Sequence, residues 1–316
     1  MAQSFSLETR QNITRKMCSK ACCARAELAA ALCMQNGVSF RGFGRYALTI
    51  TTGVSGIAFY YVSLIKKYFG IQTEVRVAQS TQLGEHTTYE VAITGDEART
   101  LMEKLGLYDE NALFGVRSVP FDEVTGSEHC KTAFLRSAFL ISGFVADPEQ
   151  AYQLEIAAAT EEAADYVKKI MKIFELSAKT ACRKSQFVVY LKSSEMISDF
   201  LTRIGCHTAV MSLENVKIVK EFRNNVNRQS NCDFHNIDAT LRTAEEQIRM
   251  IDEIDRIVGL ETLSAPLQEI AKVRRQYTDV SLAALGEYLD PPLGKSGVNA
   301  RMRKLRKIYD ELTNGG

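Results

Sequence analysis

One order of elements is written twice in this chain, and that repetition restricts the fold more than any other feature. Residues 21–36 (ACCARAELAAALCMQN) have helical periodicity, and VSFRGFGRYALTITT alternates as two short strands broken at Gly42-Phe43-Gly44. SGIAFYYVSLIKKYFG is an amphipathic helix, with Ser55 the expected N-cap and Gly70 just past the end. TEVRVAQ and TTYEVAI alternate as a hairpin, and DEARTLMEKLG is a helix that closes on glycine. The order is α-β-β-α-β-β-α. From Cys130 it returns: KTAFLRSAFLISGFVAD reads as helix, YQLEIAA as extended, TEEAADYVKKIMKIFEL as a capped helix, AKTACR and QFVVYLK as paired strands, and SSEMISDFLTRIG as a helix ending in glycine. IKKYFGIQTEVRV (65–77) lies over IMKIFELSAKTAC (170–182), and LMEKLG over FLTRIG. This predicts an α+β fold with two αββαββα repeats, about 18–110 and 128–215, forming a pseudo-two-fold domain joined near GVRSVPFDEVTGSEH.

With 316 residues, 46% of them apolar, and only five prolines, the chain has the material for a large core and more than one domain. Its formal charge is +1, so any surface for a polyanion has to come from local segregation of charge. No stretch approaches the roughly 18 to 20 consecutive apolar residues of a bilayer span, and MAQSFSLETRQNITRK has no apolar centre for a signal peptide. Both observations point to the cytoplasm and away from a membrane. There the sequon Asn12-Ile13-Thr14 carries no meaning.

Eight cysteines (18, 22, 23, 33, 130, 182, 206, 232) are read as thiols, because a core of this size needs no disulfide staples in a reducing compartment. Cys18, Cys22, Cys23 and Cys33 crowd one segment, and Cys232 with His235 makes a Cys-x-x-His pair. Neither has the paired spacing of a structural zinc site, so small buried thiols are expected, with no metal and no cofactor.

Two αββαββα repeats, each opened by a helix with a small-residue end (AAALCMQNG and SAFLISGFV), resemble the scaffold of the LAGLIDADG homing endonucleases. The resemblance implies that these two helices pack side by side at the repeat interface and that a saddle of antiparallel strands faces the DNA major groove. Cutting chemistry on such a scaffold needs an acidic residue near the end of each helix, to hold divalent metal against the scissile phosphate. Laying the nine-residue motif over residues 29–37 puts Asn36 at the metal-binding position, and the second repeat puts Gly143 there. Neither supplies a carboxylate. Asp147 lies four residues too late, before Pro148, where a turn is expected. The implied protein has no catalytic residues, only a DNA-binding scaffold.

The end of the chain carries its own signal. LGKSGVNARMRKLRK (293–307) contains Gly-Lys-Ser followed by a basic run without an acid. A nucleotide phosphate loop is excluded, because the required first glycine is Leu289 and Pro291 and Pro292 remove backbone N–H groups. A domain boundary is expected near 225, where NNVNRQSN has neither helical nor strand period: 1–225 is the duplicated domain, and 226–316 an all-α linker and helix-turn-helix domain. Within the latter, DATLRTAEEQIRMIDEIDRIVG is a helix bounded by Asp238 and Gly259, followed by helices in APLQEIAKVRRQY, SLAALGEYL and SGVNARMRKLRKIYDEL.

In the last helix Val298, Met302, Leu305, Ile308 and Leu312 share one face, so Lys295, Asn299, Arg303, Lys304 and Lys307 look away from the core. Acidic partners are missing until Asp310, which leaves positive charge for a phosphate backbone. A short helix, a turn and a second basic helix follow helix-turn-helix logic, although DPPLGK is longer than the usual turn. Ser296 is the expected cap, Asn299 and Arg303 suit base edges, and Arg301, Arg306 and Lys307 suit phosphates. The expected partner is double-stranded DNA.

The combination of CCARAEL (22–28), AFLISGFVADP (138–148), NRQSNC (227–232) and SLAALGEYLDPPLGKSGVNARMRKL (281–305) closely resembles the WhiA family of bacterial sporulation and cell-division regulators. Ala300 departs from it, standing where the family's SGVNHR pattern has histidine. The resemblance implies a non-enzymatic DNA-binding protein of the nucleoid, acting on transcription and on chromosome segregation, division or sporulation, with an RNA polymerase sigma factor as a partner. Two other classes share parts of the pattern. A nucleoid-associated structural DNA- or RNA-binding protein needs the basic helix without a preferred promoter, and an active homing-type endonuclease needs the absent acids.

Overall fold

The computed structural model describes residues 4–80, 86–183 and 186–314. The connections of the two hairpins, at 81–85 and 184–185, lie outside the described residues. The chain forms two compact units, Met1–Val219 and Lys220–Gly316.

In the first unit an N-terminal helix α1 (Phe5–Thr14) precedes α2 (Ala21–Gln35), β1 (Val38–Phe40), β2 (Tyr46–Thr52), α3 (Ser55–Phe69), β3 (Glu74–Ser80), β4 (His86–Gly95) and α4 (Asp96–Leu105). The second repeat is α5 (Glu128–Ser142), β5 (Gly143–Val145), β6 (Leu154–Ala158), α6 (Glu161–Ile173), β7 (Lys179–Arg183), β8 (Gln186–Leu191) and α7 (Ser194–Arg203). Each repeat folds its strands into an antiparallel four-stranded sheet, ordered β1-β2-β4-β3 and β5-β6-β8-β7. The duplication therefore extends to strand order. Ile50 faces Val91 across one sheet and Ile156 faces Val189 across the other. Leu48, Ile50, Val91 and Ile93, like Leu154, Ile156, Val189 and Leu191, are buried at the two-residue spacing of a sheet with one face on the core.

The principal helix packing of this unit joins α2 and α5. Ala24, Ala26, Ala29, Ala30 and Ala31 of α2, and Ala133, Ser137 and Ala138 of α5, are all buried. Side chains this small let two backbones approach closely, at the cost of little apolar area per residue. Polar contacts add to the fit: Glu27, 1% exposed, receives the Tyr60 hydroxyl and pairs with Arg136 at 3.2 Å. The Ser137 hydroxyl donates to the Glu27 carbonyl, and the Tyr61 hydroxyl lies 2.6 Å from the Ser137 hydroxyl. The Arg136 guanidinium also donates to the carbonyls of Ile13 and Lys16, which ties the end of α1 to α5.

Several local expectations shift. α5 stops at Ser142 instead of running to Asp147, because Gly143 is extended (φ −79, ψ 149) and opens β5, whose backbone groups pair with β6. An apolar run such as FLISGFV has no period that separates helix from strand. The Asp147 carboxylate accepts the Glu149 N–H in the turn that follows. The N-cap of α3 is Val54, with Ser55 already helical; the Val54 N–H is satisfied by the Thr52 hydroxyl. Gly70 ends α3 in the left-handed region at φ 70. The sequence reading missed α1, a helix of mostly polar residues. Arg10 on it donates to the carbonyls of Leu140 and Ile141 at 2.8 and 3.1 Å, satisfying groups that α5 leaves open at its end.

α8 (His207–Val258) is continuous through the segment 224–231 that was expected to be a non-helical linker, and it starts at His207 and not at Asp238. Residues 221–237 are exposed all round, and a helix without a buried stripe leaves no apolar period to read. In the second unit Met250, Ile251 and Ile254 of α8 form a core with α9 (Ala265–Gln276), α10 (Leu282–Glu287) and α11 (Lys295–Asn314).

Candidate nucleic-acid interface

Val298, Met302 and Leu305 of α11 are buried in that core, and Ile308 and Leu312 pack at its edge. With five apolar positions turned inward, the helix presents Lys295, Ser296, Arg303, Lys304, Arg306 and Lys307 to solvent, and Asn299 half-buried beside them. Lys295, Asn299 and Arg303 follow one another at a spacing of four and form a stripe from the first turn. Among the described residues, the side chains of Lys295, Arg303 and Lys304 have no ion-pair partner. Arg306 lies 3.9 Å from Glu246 and Lys307 3.8 Å from Glu311, both as exposed pairs that solvent screens and a phosphate can replace.

Two expectations at this helix change. The first i→i+4 bond runs from the Val298 N–H to the Gly294 carbonyl, so α11 starts at Lys295 and Ser296 sits in its first turn, not at its cap. Arg301, expected at a phosphate, is occupied: its guanidinium lies 2.7 Å from Glu269 and 3.3 Å from the Pro266 carbonyl, with 19% of the side chain exposed. Glu269 also accepts the Asp290 N–H at 2.7 Å. That N–H, with Arg301 second, holds the carboxyl below the usual carboxylate range. One glutamate on α9 thus braces both the turn and α11. Arg301→Ala is expected to lower the unfolding free energy of the second unit by roughly 1 to 3 kcal/mol, the worth of a charge-assisted hydrogen bond. A denaturant titration that left stability unchanged while DNA affinity fell would return Arg301 to the phosphate role.

The turn before α11 is fixed by close approach. The Leu293 N–H donates to the Gly286 carbonyl at 2.9 Å, and a Cβ on Gly286 would stand 1.8 Å from the Leu293 carbonyl oxygen. Tyr277 and Tyr288 stack with centroids 3.9 Å apart. Arg275 bridges Asp252 and Asp255 of α8 at 2.8 Å each, and buried Arg274 donates to the carbonyls of Tyr277 and Val280. α11 is therefore presented on a rigid support. On the sheets Arg76 is answered by Glu74 at 2.9 Å and Arg183 by Glu155 at 2.8 Å, while exposed Lys179 of β7 has no ion-pair partner among the described residues.

The two positions that correspond to nuclease acids lie at the C-terminal ends of α2 and α5. Asn36 is exposed and left-handed at φ 51. Gly143 is buried, and a Cβ there would stand 2.3 Å from the Phe139 ring and 2.4 Å from its carbonyl oxygen. An aspartate at 143 must displace both. Gly143→Asp is expected to destabilise the first unit by roughly 1 to 3 kcal/mol, as overpacking does; a thermal midpoint equal to the parent's would contradict this close approach.

At the opposite ends of the same helices the structure assembles a group that the sequence reading did not connect. Cys22 and Cys23 in the first turn of α2 meet His129 and Cys130 in the first turn of α5, with all four donor atoms within 4.8 Å of one another. Spacing along the chain hides such a group, since its halves are 107 residues apart. The overlay of the two helices that sets Asn36 over Gly143 also sets Cys22 over His129 and Cys23 over Cys130, and that is the signal that contained it.

A duplicated α+β domain of LAGLIDADG type followed by a helix-turn-helix unit defines a class of protein built to bind DNA. Residues 21–108 match the WhiA N-terminal LAGLIDADG-like domain, 131–223 the WhiA LAGLIDADG-like domain, and 226–309 the WhiA C-terminal HTH domain. The chain is 36% identical over 315 residues to the probable cell division protein WhiA of Caldicellulosiruptor saccharolyticus, covering 99% of this chain and 97% of that one. Against the protein of the same name from Heliobacterium modesticaldum it is 37% identical over 314 residues, covering 99% and 98%. It belongs to the WhiA family. The crystal structure of full-length DUF199/WhiA from Thermatoga maritima has the same fold, with a TM-score of 0.60 at 21% identity over 98% of this chain and 99% of that one.

Proposed function

We propose that this chain is a sequence-specific double-stranded DNA-binding protein that regulates transcription and does not cut its target. The observation that carries the reading is the exposed face of α11, where Lys295, Arg303 and Lys304 have no ion-pair partner among the described residues and stand on a braced support. Unanswered cations release counterions on meeting a phosphate backbone, which gives affinity. Specificity comes from Asn299 and Arg303, whose side chains can make paired hydrogen bonds to base edges. Lys295, Ser296, Lys304, Arg306 and Lys307 flank them and take phosphates, and the domains divide the work as 1–225 scaffold and 226–316 reader.

Loss of cleavage rests on Asn36 and Gly143, neither of which offers the carboxylate that a metal-dependent nuclease needs at a helix end. The process served is cell division, which the name of the two relatives states, and chromosome segregation or sporulation are proposed beside it. A promoter-bound regulator works beside RNA polymerase, so a sigma factor is the protein partner proposed, and the nucleoid the place of action. No helix among the described residues is long and apolar enough to cross a membrane.

Chromatin immunoprecipitation with sequencing tests the regulatory reading: sharp peaks at promoters support it, whereas diffuse occupancy supports a structural nucleoid protein and overturns it. Incubation of purified protein with its bound sites in magnesium or manganese should leave the duplex intact. Double-strand cleavage that a substitution in this chain abolishes would make it a nuclease.

A further inference from the structure

We propose that Cys22, Cys23, Cys130 and His129 together hold one zinc ion, which pins the first turns of α2 and α5 to each other. The four donor atoms lie within 4.8 Å of one another, and they come from two segments 107 residues apart. Nδ1 of His129 is 3.3 Å from Cys23 Sγ, 3.4 Å from Cys130 Sγ and 4.0 Å from Cys22 Sγ. With Zn–S of about 2.3 Å and Zn–N of about 2.0 Å, a tetrahedral centre separates its ligand atoms by about 3.5 to 3.8 Å. The three nitrogen–sulfur distances fall on either side of that range, and the group as a whole, within 4.8 Å, has only to close slightly on the ion.

Hydrogen bonding accounts for only part of this convergence, through the Cys23 thiol, which donates to the His129 carbonyl at 3.7 Å. An imidazole nitrogen carries either one hydrogen or one lone pair, yet three sulfurs and the Ser127 hydroxyl, at 3.1 Å, crowd around this one. A cation at the centre satisfies all the sulfurs at once. Three thiolates and an imidazole are the soft, mixed donor set that tetrahedral zinc takes in structural sites.

The placement has a logic of its own. Cys22 and Cys23 are the second and third residues of α2, and His129 and Cys130 the second and third of α5. Each repeat thus contributes an equivalent pair, and the site lies where the pseudo-two-fold relation brings the two helix starts together. Lys20 and Ser127 precede the helices without a side-chain cap on either, so no capping side chain stands between the two helix starts and the ligand atoms. Cys23 and Cys130 are buried while His129 is exposed, which shields the sulfurs and leaves a way in for the ion. Cys18 and Cys33, from the same crowded stretch of sequence, are not members of the group.

Binding is a ligand exchange: three S–H bonds lose their protons to water, three Zn–S bonds and one Zn–N bond form, and the zinc leaves its aqua ligands. The centre carries one net negative charge, and no oxidant or reductant takes part. Its consequence is a crosslink between the two repeats at the end of the α2–α5 interface.

Full-length protein expressed with zinc and purified in reductant without chelator is assayed by elemental analysis, and about one zinc per chain is expected. Exchange for cobalt(II) should give the visible bands of a tetrahedral ion with sulfur-to-cobalt charge transfer. His129→Cys should keep the metal. His129→Ala should weaken zinc binding, measured by competition with a coloured chelator, by more than the roughly 10- to 100-fold that an outer-shell partner is worth. Cys23→Ala should do the same, and Cys33→Ala, buried outside the group, should retain a full equivalent. Because His129 is exposed, its two variants remain informative if Cys23→Ala does not fold. A zinc content near zero, a different metal in its place, an affinity untouched by His129→Ala, or an intact mass that reveals a disulfide among Cys22, Cys23 and Cys130 would each overturn the proposal.

Discussion

Gly286→Ala should remove the cooperative unfolding transition of the second unit from the full-length protein. The new methyl would stand 1.8 Å from the Leu293 carbonyl oxygen, with the Leu293 carbonyl carbon at 2.9 Å and Val298 Cγ2 at 3.0 Å. Overpacking costs typically about 1 to 3 kcal/mol; here the obstruction is backbone on one side and a core side chain on the other, so neither can swing away. The turn that sets α11 against α10 must open, and the expected cost is at the top of that range or beyond it. A small helical unit has little stability to lose. Denaturant unfolding followed by circular dichroism should show the second unit melting early or already unfolded, with DNA binding abolished alongside. A parent-like transition would mean that the approach of Gly286 to Leu293 is not as close as described.

Arg136→Ala should be the most damaging single change at the repeat interface, and its cost should depend on pH. Glu27 is 1% exposed and its carboxyl is raised above the usual range by burial, against which Arg136 and then Tyr60 pull it down. Removing the guanidinium leaves a buried carboxylate without its counter-charge, a loss of about 3 to 5 kcal/mol. For an acid whose pKa is higher in the folded state, the folded protein binds the extra proton between the unfolded and folded pKa values, so stability falls as pH rises through that window. The variant should be closest to the parent below the unfolded value for glutamate and furthest from it at neutral pH. Adding Glu27→Gln should return part of the loss and flatten the pH dependence. If the deficit is the same at every pH and the double variant regains nothing, Arg136 acts through its bonds to the Ile13 and Lys16 carbonyls instead.

What the sequence disclosed and what it hid divide along physical lines. Amphipathic elements with one buried stripe were legible: the strands around Ile50 and Val189, the helix closing at Gly70, and the inward face of α11 through Val298, Met302 and Leu305. Elements lacking an apolar stripe were not: α1 was missed because its buried face, Ser6, Thr9 and Ile13, is mostly polar, and the run 224–231 of α8 read as a linker because it is exposed all round. The basic character of α11 was plain in the residues, but which cations are free depends on partners far away in the chain. Arg301 meets Glu269 across 32 residues, and no local spacing announces that pair. The Cys-His group was hidden in the same way, since each half by itself is only two adjacent residues at a helix start.

The central claim, that α11 reads duplex DNA and positions itself on phosphates, is tested most directly by titrating variants of the full chain against a selected site and a scrambled duplex over a range of salt. Asn299→Ala and Arg303→Ala should each cost roughly 1 to 3 kcal/mol on the selected site and much less on the scrambled one. Arg306→Ala and Lys307→Ala should weaken both duplexes about equally and flatten the salt slope by about one for each phosphate that is no longer neutralised. Affinity then falls while preference survives. If all four variants behave alike, or if each keeps the parent's affinity and preference, α11 is not the reading element and the duplicated domain carries the specificity.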